Sequence, residues 1–216
     1  MAETDLHRDQ MIGLILALQD HFRDREDVYV TGNLLMFYEE GSKHRHLSPD
    51  VMAVFGIPKH ERDDYLMWEE GKAPDAVVEI TSKSTRAEDL GHKKELYRAH
   101  GVREYYIFDP LREYLPAQLQ GYRLVGGEYI LRRGTRRLVS RVLGLELRVV
   151  NDVLRLYDPK SDRLLPVPAE VFQQWRQERQ RADTERQRAE AERQRAEEAT
   201  QRVVELERRL RELEGA

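Results

Sequence analysis

Apolar positions change their spacing several times along the chain, and each change predicts a different kind of element. Between residues 7 and 23, Met11, Leu14, Ile15, Leu18 and Phe22 recur at three- and four-residue steps. That period predicts an amphipathic helix with one buried stripe, and Asp5 before it suits an N-cap. Short runs follow: Val28-Tyr29-Val30, then Asn33 to Tyr38, then Asp50 to Phe55, rich in apolar and aromatic residues and separated by Gly, Ser and Pro. These predict strands. Residues 56 to 74 carry Pro58, Gly71 and Pro74 among many charges. They form an excursion whose Tyr65, Met67 and Trp68 either fold back on the body or cover a substrate.

From Ala76 to Ile80 the chain is apolar except for Glu79, a further strand, and Thr81-Ser82-Lys83-Ser84-Thr85 is a polar loop. A helix is expected over residues 87 to 100, with Leu90, Tyr97 and the stems of Lys93 and Lys94 on its inner side and Gly101 as its C-cap. Glu104 to Phe108 is another strand, closed by Asp109-Pro110. Strand, helix, strand makes a right-handed crossover, so the strands of Glu79 and Ile107 are expected to be parallel neighbours. Leu119 to Tyr157 follows a strand pattern throughout, with Gly126-Gly127 as a hairpin turn, and serves as scaffold.

The tail differs in kind. Ala182, Ala189, Ala196, Val203 and Leu210 recur every seven residues, and Ala199, Leu206 and Leu213 take the position three further on. This is a coiled-coil register, which Val171 and Trp175 enter. Glu178, Glu185 and Glu192 occupy its seam in the middle, so burial there is weak and firm association is expected near Val203 to Leu213. The expected organisation is a domain over residues 1–168 and a charged helix over 169–216, with a homo-oligomer formed through residues 171–214. The other outcome for the tail is a solvated helix that frays.

Composition narrows the choices. The chain has 216 residues and no cysteine, which excludes disulfides and Cys-based zinc sites or nucleophiles. There is no basic-then-apolar leader, and the longest apolar run, Met11 to Leu18, is too short to cross a bilayer. The expectation is a cytoplasmic protein without membrane contact. Net charge is -4, and residues 171 to 216 hold 11 of the 36 basic and 11 of the 40 acidic residues. Neither part is a basic block, so a nucleic-acid partner has to be argued from a local site and a bound cation.

Such a site is suggested by two acidic residues, each set into an apolar strand: Asp50 before Val51 and Glu79 between Val78 and Ile80. A buried carboxylate costs several kcal/mol unless a cation or hydrogen bonds compensate it. On one face of adjacent strands, the two would offer hard oxygen ligands to Mg²⁺ or Mn²⁺, and a nearby lysine could orient or deprotonate a water. Those are the parts of a metal-dependent phosphodiesterase. Structural alternatives exist for each residue. Pro-Asp at a strand start is often a turn that caps a neighbouring N–H, and Asp75 after Pro74 fits that description. Glu79 could pair with Arg103 or Lys93, and Lys93 could be a surface lysine. His44 and His46 could bind a metal or be solvated, and Tyr97, Tyr105 and Tyr106 suit a core better than a base-stacking platform.

The strings SPDVMAVFG, APDAVVEITSKSTRAEDLGHKKELY and GVREYYIFDP resemble the PD-(D/E)XK nuclease superfamily, and within it the Uma-type putative restriction endonucleases. The resemblance spans roughly residues 25 to 160. It implies a restriction-endonuclease-like α/β core, an α+β mixed sheet flanked by helices, with the coiled-coil helix appended. It further implies a Mg²⁺- or Mn²⁺-dependent endonuclease acting on DNA, with Asp50, Glu79 and the Ile80 carbonyl as metal ligands. The lysine expected two residues after the acidic residue is here Thr81. In the Uma-type pattern a lysine of the following helix takes over, which points to Lys93, with Lys83 as the alternative. Two rival functions follow: a catalytically degenerate nuclease fold that binds nucleic acid or protein through its coiled coil, and a metal-dependent hydrolase of a smaller phosphate.

Overall fold

A computed structural model of the chain describes residues 4–134, 136–168, 170, 185 and 188. Backbone packing divides the chain into two units, Met1–Pro168 and Ala169–Ala216. The heptad segment falls outside the described residues apart from Glu185.

The first unit is mixed α+β. It opens with helix α1 (Asp5–His21), followed by strands β1 (Val28–Thr31), β2 (Met36–Phe37), β3 (His46–Leu47), β4 (Val51–Phe55) and β5 (Tyr65–Leu66) and the single turn α2 (Met67–Glu70). The centre is β6 (Ala76–Ile80), α3 (Arg86–Leu90), α4 (His92–Ala99) and β7 (Glu104–Phe108). Six strands complete it: β8 (Leu119–Val125), β9 (Glu128–Gly134), β10 (Arg137–Val139), β11 (Glu146–Val150), β12 (Val153–Asp158) and β13 (Arg163–Leu164).

The main sheet is six-stranded and mixed, in the order β1-β4-β6-β7-β8-β9. Its parallel pair is β6 with β7, Glu79 standing opposite Ile107, as the crossover predicts. Antiparallel β4 lies on the other side of β6, with Val51 opposite Val78. Smaller sheets β10-β11-β12-β13 and β3-β2-β5 lie beside it.

Strand alternation divides the core in two. Val51, Ala53, Ala76, Val78, Ile80, Tyr106 and Phe108 face α1 and the β10–β12 side, where Met11, Leu14, Leu18, Leu147 and Leu154 close the cluster. Met52, Val54, Val77, Tyr105 and Ile107 face the other way, into a cluster with Tyr97, Tyr65 and Met36. Asp50 shares the parity of Met52, and Glu79 that of Val77, so the alternation puts both carboxylates on the α4 side.

Several local expectations shift. The N-cap of α1 is Thr4, whose hydroxyl accepts from the His7 N–H at 3.2 Å; Asp5 lies inside the first turn. The helix expected over 87–100 is two helices broken at Gly91, where the backbone leaves helical values (φ −113°, ψ −95°) and a Cβ would lie 2.8 Å from the Ala87 carbonyl. The strand expected over Asn33–Tyr38 shrinks to β2, because Asn33 takes a left-handed φ of 52° and turns the chain. Tyr65 is fully buried beside β2, so the excursion folds back on the body. Gly126 and Gly127, both at positive φ, make the two-residue hairpin turn between β8 and β9.

Two anchors hold the ends that carry polar residues. Gln10 is buried and exchanges both amide bonds with Leu154 of β12 at 2.9 Å, which pins the first turns of α1. At the other end of β1, Gly32 lies so close to β4 that a Cβ there would sit 1.9 Å from the Asp50 carbonyl oxygen.

Candidate functional site

Glu79 sits near the end of β6, 1% exposed, with apolar neighbours before and after it in the strand. Its Oε1 accepts from the Tyr97 hydroxyl at 2.7 Å, and its Oε2 lies 3.0 Å from Lys93 Nζ. Lys93 and Tyr97 are four residues apart on α4, so a single helix face presents both to the strand. Asp89, the last acidic residue of α3, comes within 3.2 Å of the same ammonium. Thus Lys93 bridges two buried carboxylates. Arg103, the other partner considered for Glu79, instead pairs with Asp75 at 2.8 Å. Asp75 also accepts the Phe55 N–H at 2.7 Å, a structural role.

Asp50 closes the group from β4. Its Oδ2 accepts the Ile80 N–H at 2.6 Å and lies 2.9 Å from His7 Nε2, while its own N–H points toward Glu79 Oε2 at 3.4 Å. Ile80 therefore meets Asp50 through its N–H. Thr81, in the position where the superfamily pattern has lysine, is 1% exposed and its Oγ1 has no hydrogen-bond partner among the described residues.

Charge balance sets the electrostatics. Asp50, Glu79 and Asp89 confront one ammonium, and the two Asp89 oxygens accept no hydrogen bond of good geometry among the described residues. Burial pushes the Glu79 carboxyl well above the usual carboxylate range, and Asp50 and Asp89 push the same way; Lys93 and the Tyr97 hydroxyl oppose them without prevailing. Burial alone would lower the Lys93 ammonium, but Glu79, Asp89 and Asp50 together hold it above its ordinary value. Burial and Glu79 also keep the Tyr97 phenol protonated, consistent with its donating role.

An acidic surplus of this kind is neutralised by a proton or a cation. The donors are carboxylate oxygens, which suit a hard divalent ion, and the unpartnered Thr81 and Asp89 oxygens leave room for further polar contacts. Asp50 and Glu79 fit a metal in their chemistry. Even so, no three His, Cys, Asp or Glu side chains form a preassembled metal cage among the described residues. Glu79 is drawn toward Lys93 and Tyr97, while Asp50 is drawn toward His7.

Asp50 and Lys93 line a cavity of about 700 Å³ together with His7, Asn33, Ser48 and Thr81, and its rim includes Ser82, Lys83, Ser84 and Thr85. Glu79 lies just behind this wall. The structure brings Asp50, Glu79, Ile80 and Lys93 together; exposed Lys83 stays at the rim. His44 is exposed and His46 stacks beside Phe37, and neither lines the cavity. Tyr105 and Tyr106 are core residues. Asp89 and His7 were not singled out from the sequence. A signal existed for both: Asp89 is four residues before Lys93, and His7 precedes Met11 by four on the buried stripe of α1.

No described helix is long and apolar enough to cross a membrane. The model of the Uma2 family, described as "Putative restriction endonuclease", matches residues 1–150. Among solved structures, one similar to this chain is a putative nuclease from Anabaena variabilis ATCC 29413, at 17% identity and a TM-score of 0.48, covering 65% of this chain and 74% of that one. A comparison with curated proteins gives no match. With the family model spanning well over half of its length, the chain belongs to the Uma2 family, a family of nuclease type.

Proposed function

We propose that the chain is a divalent-cation-dependent endonuclease that hydrolyses phosphodiester bonds of DNA, with Asp50, Glu79 and Lys93 as its working residues. The observation that carries this reading is their convergence at one cavity wall with more buried carboxylates than cations. Asp50, Glu79 and the Ile80 carbonyl would hold Mg²⁺ or Mn²⁺. Such an ion, when bound, supplies Lewis acidity toward a phosphate and lowers the pKa of water.

The chain's own residues do the rest. Lys93 is held protonated, which favours donation to a phosphoryl oxygen as negative charge develops over a role as base. Tyr97 and Asp89 fix the two sides of this arrangement: the phenol orients Glu79, and Asp89 keeps the ammonium at the wall. Ser82, Lys83 and Ser84 at the rim can receive the strand's neighbouring phosphates. Fold and domain limits belong to the same proposal: residues 1–168 as a restriction-endonuclease-like catalytic domain, 169–216 as an oligomerising coiled coil.

The test is nicking of supercoiled plasmid by the full chain with Mg²⁺ or Mn²⁺, beside the Asp50→Ala variant. Cleavage that vanishes in the variant, with an unchanged circular-dichroism spectrum, supports the reading; undiminished cleavage overturns it. For the tail, the full chain should elute as a dimer or larger and a chain ending at Glu170 as a smaller species. Equal subunit numbers would remove the coil's role.

A second reading draws on a specific observation, the engagement of Glu79 by Lys93 and Tyr97 without a preassembled cage. It makes the protein a non-cutting binding module, and it predicts DNA retention without Mn²⁺ uptake.

A further inference from the structure

We propose that His7 is an imidazole ligand of the same cation, so that the site is a mixed carboxylate–imidazole centre that favours Mn²⁺ over Mg²⁺. This rests on the metal-dependent reading above and adds a residue from a different part of the fold. His7 stands in the first turn of α1, whose placement is set by the Thr4 cap below it and the Gln10 clamp to β12 above it. Its ring is 14% exposed and lines the cavity with Asp50 and Thr81.

Spacing is the first argument. His7 Nε2 and Asp50 Oδ2 are 2.9 Å apart. Two ligands at right angles on an octahedral ion, each about 2.1 Å from it, are themselves about 3.0 Å apart. The two atoms therefore already stand at the separation of neighbouring ligands. With its proton on Nε2 the ring donates to Asp50; with the proton on Nδ1 the Nε2 lone pair is available to a cation, a tautomer change that costs no net proton.

The second argument is independent. Asp50 Oδ2 is already satisfied by the Ile80 N–H, so the histidine is not required to pay for its burial. Beside it, Thr81 Oγ1 is buried, lines the cavity and has no hydrogen-bond partner among the described residues. A polar atom so placed suits a water held by an ion at the same wall. The donor set decides the ion: carboxylates alone suit Mg²⁺, whereas an imidazole shifts preference toward Mn²⁺ and later transition metals.

The experiment uses the full-length protein and Mn²⁺ alone, read by calorimetry and by pulsed electron paramagnetic resonance for nitrogen coupling to the ion. Wild type should bind Mn²⁺ with an imidazole ¹⁴N signature. His7→Gln should lose that signature and bind Mn²⁺ at least roughly 10-fold more weakly, the lower end of what even outer-shell changes cost. His7→Asp guards against a folding artefact: it should bind Mn²⁺ without the nitrogen signature and gain in relative Mg²⁺ affinity. Bound Mn²⁺ without nitrogen coupling in wild type, or unchanged or tighter binding in His7→Gln, overturns the role of His7 and leaves the metal site standing. No Mn²⁺ uptake by wild type at about 10 mM, where an oxygen-ligand site of this type should fill, overturns the metal reading itself and this inference with it.

Discussion

Lys93 Nζ lies 3.0 Å from Glu79 Oε2, and the pair is buried at the junction of α4 and β6. The ammonium is the only cation within salt-bridge distance of Glu79 among the described residues, and Asp89 shares it at 3.2 Å. Its removal therefore leaves two buried carboxylates uncompensated. Lys93→Met should cost about 3–5 kcal/mol of stability near neutral pH. It should also lower cleavage by roughly 10²–10³-fold if the ammonium meets developing charge. Urea denaturation and plasmid nicking check the two separately; a fully stable, fully active variant would count against both roles.

Asp89→Asn tests the other side of the bridge. The variant keeps the volume but frees Lys93 from one partner and reduces the acidic surplus. Glu79 should then ionise more readily, because Asp89 is one of the groups pushing it up. The expected result is a lower pH for the onset of Mn²⁺ binding, followed by calorimetry across a pH series.

A carboxyl whose pKa rises on folding retains its proton in the folded chain where the unfolded chain has released it. The stability it contributes is complete below the ordinary value of 4.5 and is lost as pH rises through the raised value. Glu79 is such a group. In EDTA, the stability difference between Glu79→Gln and wild type should move in the variant's favour with rising pH, by up to about 1.4 kcal/mol per pH unit above 4.5. Denaturation midpoints that run parallel across that range would show that Glu79 does not titrate this way.

Tyr97→Phe removes only the hydroxyl that donates to Glu79 Oε1 at 2.7 Å. A hydrogen bond to a charged group is worth about 1.5–3 kcal/mol, and its loss drives the Glu79 carboxyl further upward. Mn²⁺ affinity should fall and stability in EDTA should fall less, since a protonated Glu79 needs the phenol less. Equal effects with and without metal would reduce Tyr97 to a packing residue.

Glycines offer a contrast free of charge effects. At Gly32 a Cβ would sit 1.9 Å from the Asp50 carbonyl oxygen and 2.7 Å from Ile15 Cδ1, so Gly32→Ala must move β4 where Asp50 leaves it. Loss of about 1–3 kcal/mol and weakened Mn²⁺ binding are expected. At Gly13, inside α1, the nearest contact would be Val167 Cγ1 at an ordinary 3.8 Å, and Gly13→Ala should stabilise by roughly 1 kcal/mol. Thermal melts of both variants check the pair.

Much of this arrangement follows from local pattern. Alternation in Asp50-Val51-Met52 and Val77-Val78-Glu79 puts both carboxylates on one side of the sheet, because side-chain direction in a strand depends only on residue parity. Likewise the strand-helix-strand order makes β6 and β7 parallel neighbours, and four-residue spacing puts Lys93 and Tyr97 on one helix face. The break at Gly91 escaped that logic. Apolar period runs through it, while the departure is a backbone event that a single glycine permits without marking.

What only the tertiary structure decided are the contacts between elements far apart in the chain. His7 meets Asp50 across 43 residues, and Gln10 reaches Leu154 across 144. Neither distance is encoded in a period, because it depends on how α1 settles against β12 and the end of β4 once their apolar faces are buried together. Nor does the sequence disclose that three carboxylates crowd one ammonium. Each acidic residue looks compensable where it stands in the chain, and the surplus exists only when packing removes the water between them.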